Sequence, residues 1–163
     1  MRRYVLSKRD RRVLLNDLIK TYPNLMIDRD DVVEIYENRD IGEILIVNSK
    51  PFLIKIDDRW IPHLKYLYEN TSFLDSIPVV VVDKGAVKPL LNGADVMIPG
   101  IRSIRKSFKI NDPVVVVDED YLKPIVSGLA LVDSDLIVSG VVKKGRAISN
   151  LHRVGDKYWK LVV

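Results

Sequence analysis

Val82-Asp83-Lys84-Gly85-Ala86-Val87-Lys88-Pro89-Leu90-Leu91-Asn92-Gly93-Ala94-Asp95-Val96-Met97-Ile98-Pro99-Gly100-Ile101 decides how the second half of the chain folds. The run Val79–Val82 is short, β-branched and bounded by Pro78 and Asp83, which predicts a buried strand. Asp83 is a good N-cap, because its carboxylate can accept from an early helical N–H. A short helix then runs through Leu91. Asn92-Gly93 stops it, since glycine adopts the left-handed conformation without steric cost. Pro89 falls past the first turn, where its ring meets the carbonyl four residues back, so an irregular or kinked helix is expected. Ala94–Ile101 reads as a brief strand ended by Pro-Gly.

Toward the C-terminus, Val114–Val117 is an apolar strand left by the acidic turn Asp118-Glu119-Asp120. Lys123–Val132 returns as a strand whose small Ser127, Gly128 and Ala130 suit a curved sheet with crowded backbones. Val141–Lys144, Arg146–Leu151 and Tyr158–Val162 are further short strand candidates. Several short strands with one early helix predict a small, mostly β barrel.

Toward the N-terminus, Ser7-Lys8-Arg9-Asp10 reads as a capped helix start, with Val13, Leu14, Leu18 and Ile19 at helical spacing and Pro23 as a stop. Strands are expected at Val32–Tyr36, Glu43–Val47 and Phe52–Ile56, the last alternating cleanly, with Asn48-Ser49-Lys50-Pro51 as a hairpin turn. Ile61-Pro62 is expected to open a short helix. The order α-β-β-β-α describes a small α+β domain. The basic N-terminal residues Arg2, Arg3, Lys8, Arg9, Arg11 and Arg12 read as a solvated helix face.

The chain has 163 residues, no cysteine and a formal net charge of +4. Disulfides, cysteine-ligated zinc, iron–sulfur clusters and thiol catalysis are excluded. No apolar run approaches the roughly 20 residues that span a bilayer, and the basic start lacks the apolar core of a signal peptide, so a cytoplasmic protein without membrane partners is expected. Up to Ile77 there are 13 Lys+Arg against 13 Asp+Glu; from Pro78 onward there are 13 against 9, so the excess lies in the second half. Only Gly42 among the 8 glycines precedes Pro78. Two modules are expected, 1–77 and 78–163, with Phe73, Leu74 and Ile77 docking the connection.

No P-loop, GxGxxG, GxSxG or HExxH motif occurs, so nucleotide cofactors, nucleophile elbows and zinc hydrolysis are unsupported, and neither cofactor nor metal is expected. The acidic pairs fall in predicted turns. His63 and His152 are expected to be partly exposed or hydrogen-bonded side chains without catalytic role. What remains is a set that suits phosphate: Lys84, Gly85, Lys88, Asn92, Gly93, Met97, Pro99 and Gly100, followed by Arg102, Arg105, Lys106 and Lys109. Glycines let a phosphate backbone approach the main chain and flanking cations attract it. Lys143, Lys144 and Arg146 around Gly145 form a second cluster.

The stretch from Val82 to Ile101, with its glycine spacing and Pro-Gly-Ile end, resembles the signature of a PUA domain, the RNA-binding barrel of pseudouridine synthases and archaeosine transglycosylases. Gly42–Asn48, Trp60-Ile61-Pro62-His63-Leu64-Lys65, Ile148-Ser149-Asn150-Leu151-His152 and Trp159 after a Gly-Asp turn resemble one PUA family in particular. That is the malignant-T-cell-amplified sequence family of translation factors, here in an archaeal-type form. The resemblance implies an α+β N-terminal domain followed by a mostly β PUA pseudo-barrel with one short helix. It implies a non-catalytic factor in translation initiation or recycling that binds a tRNA acceptor-like stem or small-subunit ribosomal RNA. It also implies the small ribosomal subunit and a density-regulated-like protein as partners. The alternative is an RNA-modification enzyme, or an accessory subunit, that uses the PUA domain to position RNA.

Overall fold

Arg2–Val5 forms a strand (β1), so the basic start is not one helix face. Arg2 and Arg3 pair across the sheet with Glu37 (2.8 Å) and Glu34 (3.0 Å). The computed structural model describes residues 1–163. Helix α1 (Lys8–Thr21) follows, with the Ser7 hydroxyl accepting from the Asp10 N–H as the sequence predicts. Arg11 donates to the Asp28 and Asp31 carbonyls, so it too is engaged within the fold.

Strands β2 (Val33–Asn38), β3 (Gly42–Val47), β4 (Lys50–Ile56) and β5 (Arg59–Pro62) complete an antiparallel sheet in the order β1-β2-β3-β4-β5. Two tight turns fix its register. Asn48-Ser49 and Asp57-Asp58 all have positive φ (50° to 65°), the conformation a two-residue hairpin needs to match strand twist. Lys50 and Pro51 therefore belong to β4, not to the turn. The alternation expected for Phe52–Ile56 is broken by a bulge, because Leu45 pairs Leu53 while Ile46 pairs Pro51. Phe52 and Leu53 consequently share one core, and Ile54 joins Ile44 and Ile46 in another. Ile61-Pro62 ends β5 instead of opening a helix. Proline is tolerated there because β5 is an edge strand. The helix α2 (Leu64–Glu69) starts after His63, and α3 (Thr71–Asp75) leads into the second sheet.

The second sheet contains β6 (Val79–Val82), β7 (Val96–Met97), β8 (Ile101–Arg105), β9 (Pro113–Asp118), β10 (Pro124–Ala130) and β11 (Arg146–Arg153), in the order β7-β11-β10-β9-β6-β8. Only β6–β9 is parallel. The two edge strands β7 and β8 are joined by the single 3-10 turn Ile98–Gly100, so the chain itself bridges the gap of a curled half-barrel. The one strand expected over Ala94–Ile101 is thus two strands on opposite edges. Helix α4 (Lys84–Leu91) keeps Pro89 within it; proline has no N–H for the Gly85 carbonyl, and the helix ends two residues later. Val141–Lys144 is not a strand. Helix α5 (Ser134–Val138) precedes it, and Tyr158–Val162 gives way to a helix, α6 (Lys157–Lys160), whose Asp156 cap accepts from Trp159 N–H.

Three apolar clusters hold these layers. One fills the half-barrel. The other two cover opposite faces of the first sheet, and both cross to the second module. Phe73 and Ile77 pack with Val79, Val81, Val115 and Val117 on one side; Ile44, Ile54 and Ile61 pack with Leu129 and Tyr158 on the other. Burial on both faces explains why β3 and β4 read as runs of apolar residues instead of a strict alternation.

The two histidines, expected to be partly exposed or hydrogen-bonded, are 1% and 0% exposed, hydrogen-bonded through both ring nitrogens, and join the modules. Their ring centroids lie 4.8 Å apart. His63 Nδ1 accepts from the Lys65 N–H, which leaves Nε2 protonated and donating to the Tyr158 carbonyl (3.1 Å). His152 Nε2 accepts from the Leu64 N–H (3.1 Å), and Nδ1 donates to Asp156 (2.9 Å). Burial, reinforced by the neighbouring His152, pushes the His63 pKa down to about 3. The unfolded chain therefore binds a proton that the folded one refuses between about pH 6.5 and 3. This contribution to stability is complete above about pH 6.5 and is lost as pH falls through that window, by at most ~1.4 kcal/mol per pH unit. Asp156, whose pKa is lowered despite its own burial by the hydrogen bond from His152, protects the fold to lower pH and loses its share only below the ordinary carboxylate range. Urea unfolding between pH 7 and 5 is expected to show the midpoint falling; a flat midpoint would contradict the assignment.

Candidate nucleic-acid interface

Asp83 accepts from the Ala86 N–H (3.0 Å) and starts α4 where β6 ends. Lys84, Gly85 and Lys88 are exposed on that helix. Asn92-Gly93 closes it, and Gly93 at φ +99° takes the conformation that the sequence reading assigned to glycine. The turn is fastened from beneath by residues that sequence reasoning gave no role. Asn150 donates from its amide to the Leu90 and Ala94 carbonyls (2.9 and 2.8 Å), its own N–H reaches Asp95, and Arg153 donates to the Leu91 carbonyl. These contacts cross about sixty positions of sequence, so no local signal carries them.

Met97 pairs with Arg146 across β7 and β11, and the Ile98 N–H donates to the Gly145 carbonyl. The structure thereby brings Arg146 beside Met97 and Gly145 beside Ile98, with Lys143 and Lys144 exposed in the loop just before them. A small groove of about 160 Å³ lies between this edge and α4, lined by Ala86, Pro89, Leu90, Met97 and Gly100. Arg146 is paired with Asp95 (3.1 Å), whereas Lys84, Lys88, Lys143 and Lys144 have no carboxylate partner.

Two parts of the expected set are placed elsewhere. On α4, Lys84, Val87, Lys88 and Leu91 recur at i, i+3, i+4 and i+7 and form a stripe distinct from the Ala86, Pro89 and Leu90 stripe over the small groove. They line instead a second cleft on the other flank, with Tyr68, Tyr121 and Lys123. On β8, Arg102 is paired with Glu119 (3.2 Å). Arg105 stands opposite Val79 while Ile101 stands opposite Val82. At roughly 3.3 Å per residue, Arg105 is about 13 Å farther down the strand. Lys106 lies beyond it and donates to the Ser76 carbonyl at the module junction (2.8 Å). Arg105 and Lys106 are therefore not part of the cluster around α4. Lys109 is exposed, after β8. No three histidine or carboxylate side chains converge on a common point, and no helix is long and apolar enough to cross a membrane.

A family model for the PUA domain matches residues 78–154, and one for a domain of unknown function (DUF1947) matches residues 2–70. The crystal structure of a PUA domain from Aeropyrum pernix K1, in a tartrate complex, superposes with a TM-score of 0.86 at 34% identity over 99% of this chain and 90% of that one. The chain belongs to the PUA-domain family. An uncharacterised protein of Methanocaldococcus jannaschii is 43% identical to this PUA protein, covering 97% of this chain and 95% of the relative. Translation machinery-associated protein 20 of Saccharomyces cerevisiae is 27% identical, covering 93% and 88%. Malignant T-cell-amplified sequence 1 of Rattus norvegicus is 28% identical, covering 90% and 83%. The two-part likeness drawn from Gly42–Asn48, Trp60–Lys65 and Val82–Ile101 thus extends along the whole PUA protein.

Proposed function

We propose that this PUA protein is a non-catalytic RNA-binding factor of translation initiation or recycling, which holds a tRNA acceptor-like stem or small-subunit ribosomal RNA on both flanks of α4. The observation that supports this best is the set of unpaired lysines, Lys84 and Lys88 on α4 and Lys143 and Lys144 in the loop that leads to Arg146 beside Met97. Cations without carboxylate partners are free to displace counterions from phosphate. Relatives named for the translation machinery point the same way. Residues 1–77 and 78–163 act as two modules, the second carrying the RNA. The small subunit and a density-regulated-like protein are the partners that the family resemblance implies, and co-sedimentation with small subunits tests the first.

Filter binding against a stem–loop RNA at several salt concentrations tests the face. Each lost phosphate contact should lower the magnitude of the salt slope by about 0.7–0.9. Lys84→Ala with Lys88→Ala is expected to weaken binding and flatten the slope by about one to two units across RNA sequences. Arg2→Ala with Arg3→Ala and Arg9→Ala should change much less, since Arg2 and Arg3 are held by Glu37 and Glu34. The opposite ranking would move the RNA to the first module.

A further inference from the structure

Lys84 and Lys88 rim a cleft that the small groove beside Met97 does not include. This second cleft has a volume of about 490 Å³ and an apolar floor of Val87, Leu91 and Ile125. That is the size of a site for one small ligand. Tyr121 forms its outer wall and is 78% exposed, on the turn between β9 and β10. An aromatic ring so exposed is ordinarily mobile, but this turn is tied. The Asp118 carboxylate accepts from the N–H groups of Tyr121 and Lys123 (both 2.8 Å), and its carbonyl accepts from Leu122. Leu122 sits at φ 54°, a left-handed position that closes the turn. Tyr68 of the first module also lines the cleft, pinned by its hydroxyl to the Pro124 carbonyl (2.6 Å). Lys123 lies 5.9 Å from the Tyr121 ring centre.

The cleft therefore combines an open aromatic face, an apolar floor and three lysines, Lys84, Lys88 and Lys123. Of the two carboxylates at its edge, Asp118 is consumed by the turn and Asp120 is exposed. A base has an apolar face and a phosphate beside it, and this rim offers a partner to each. Base–aromatic stacking tolerates any sequence, because every base has a π-face.

We propose that the Tyr121 cleft takes one unpaired nucleotide of the RNA held by α4, with its base stacked on Tyr121 and its phosphate between Lys88 and Lys123. The proposal rests on the RNA-binding reading and adds to it a subsite that discriminates single-stranded from fully paired RNA.

The test uses the full chain and two probes: a blunt stem–loop, and the same stem–loop with a short single-stranded adenosine tail, at either end, carrying 2-aminopurine. The tail is expected to increase affinity about tenfold, as one stacked base does, and to have its fluorescence quenched on binding. Tyr121→Ala should abolish both the tail preference and the quenching while leaving blunt stem–loop affinity unchanged; its ring belongs to no core. Tyr121→Phe should keep both. Retention of preference and quenching in Tyr121→Ala would overturn the assignment. If the unaltered protein binds the blunt stem–loop with its full salt slope but shows no tail preference, the subsite is wrong and the RNA-binding reading stands. If it binds neither probe, the RNA-binding reading itself has failed.

Discussion

Gly128→Ala is expected to destabilise the protein strongly. A Cβ built at Gly128 would lie 1.8 Å from the Ser149 carbonyl oxygen and 3.0 Å from its carbonyl carbon. Both are backbone atoms of β11, the strand paired with β10, and the ladder already shifts register between Ser127 and Gly128. No rotamer relieves such a contact. β11 would have to move by more than an ångström, and it cannot move alone, because Asn150 on the same strand holds the carbonyls of Leu90 and Ala94. β10 is buried along its whole length, so it has no free side toward which to retreat. Overpacking that forces backbone displacement in a core lies in the exceptional range, more than about 4 kcal/mol. For a chain of this size that corresponds to a fall in Tm of roughly 8–16 °C. Gly100→Ala is the control, since its Cβ would meet only the Ala86 Cβ at 3.6 Å. It should melt within a few degrees of the unaltered protein, estimated from the small effect of an uncrowded surface change. A Gly128→Ala variant with unchanged thermal unfolding would refute the close approach.

The sequence betrayed Gly128 only as a small residue in a strand, and that marks the limit of what is legible one residue at a time. Asp83 capping α4, Ser7 capping α1 and the β-branched strands at Val79–Val82 and Val114–Val117 are legible because the cause is local: a carboxylate within reach of an N–H, or a side chain that suits a pleat. β1 was hidden because Arg2-Arg3-Tyr4-Val5 has no apolar alternation and is a strand by virtue of pairing with β2. β5 was hidden behind Pro62, whose meaning differs between a helix start and an edge strand. The bulge at Phe52 left no trace in the pattern, since Phe52, Leu53 and Ile54 are all buried whichever face each takes.

The candidate interface divides in the same way. The lysines and glycines of 84–100 are visible as a composition, and helical spacing already places Lys84 and Lys88 on one stripe. Their partner in the second cleft is not visible, because Tyr121 lies beyond three further strands and Tyr68 belongs to the other module. Arg102 illustrates the converse error. It continues the basic run in sequence, yet the parallel pairing of β6 with β9 carries Glu119 to it. A charge excess counted along the chain overstates what is free at the surface.

The pairing of His63 with His152 joins positions 89 residues apart, and it controls more than its own two rings. His152→Leu is expected to cost about 3–5 kcal/mol, the sum of an orphaned buried N–H and a lost hydrogen bond to a buried carboxylate. The N–H is that of Leu64, the first residue of α2, and the carboxylate is that of Asp156, which also caps α6 through Trp159. The same substitution therefore loosens a helix start in each module. Because two of the three apolar clusters cross between the modules, the loss should appear as one cooperative transition shifted to lower urea, not as early melting of one half. His152→Gln can offer its carbonyl to the Leu64 N–H and its amide to Asp156, and should recover part of the stability. His63→Leu alone should cost less, about 2–3 kcal/mol, since it leaves unmade the bonds to the Lys65 N–H and to the Tyr158 carbonyl. With the rings in contact, the double substitution should fall short of the sum of the two. Two separate unfolding transitions in His152→Leu would mean that the modules hold together without this pair.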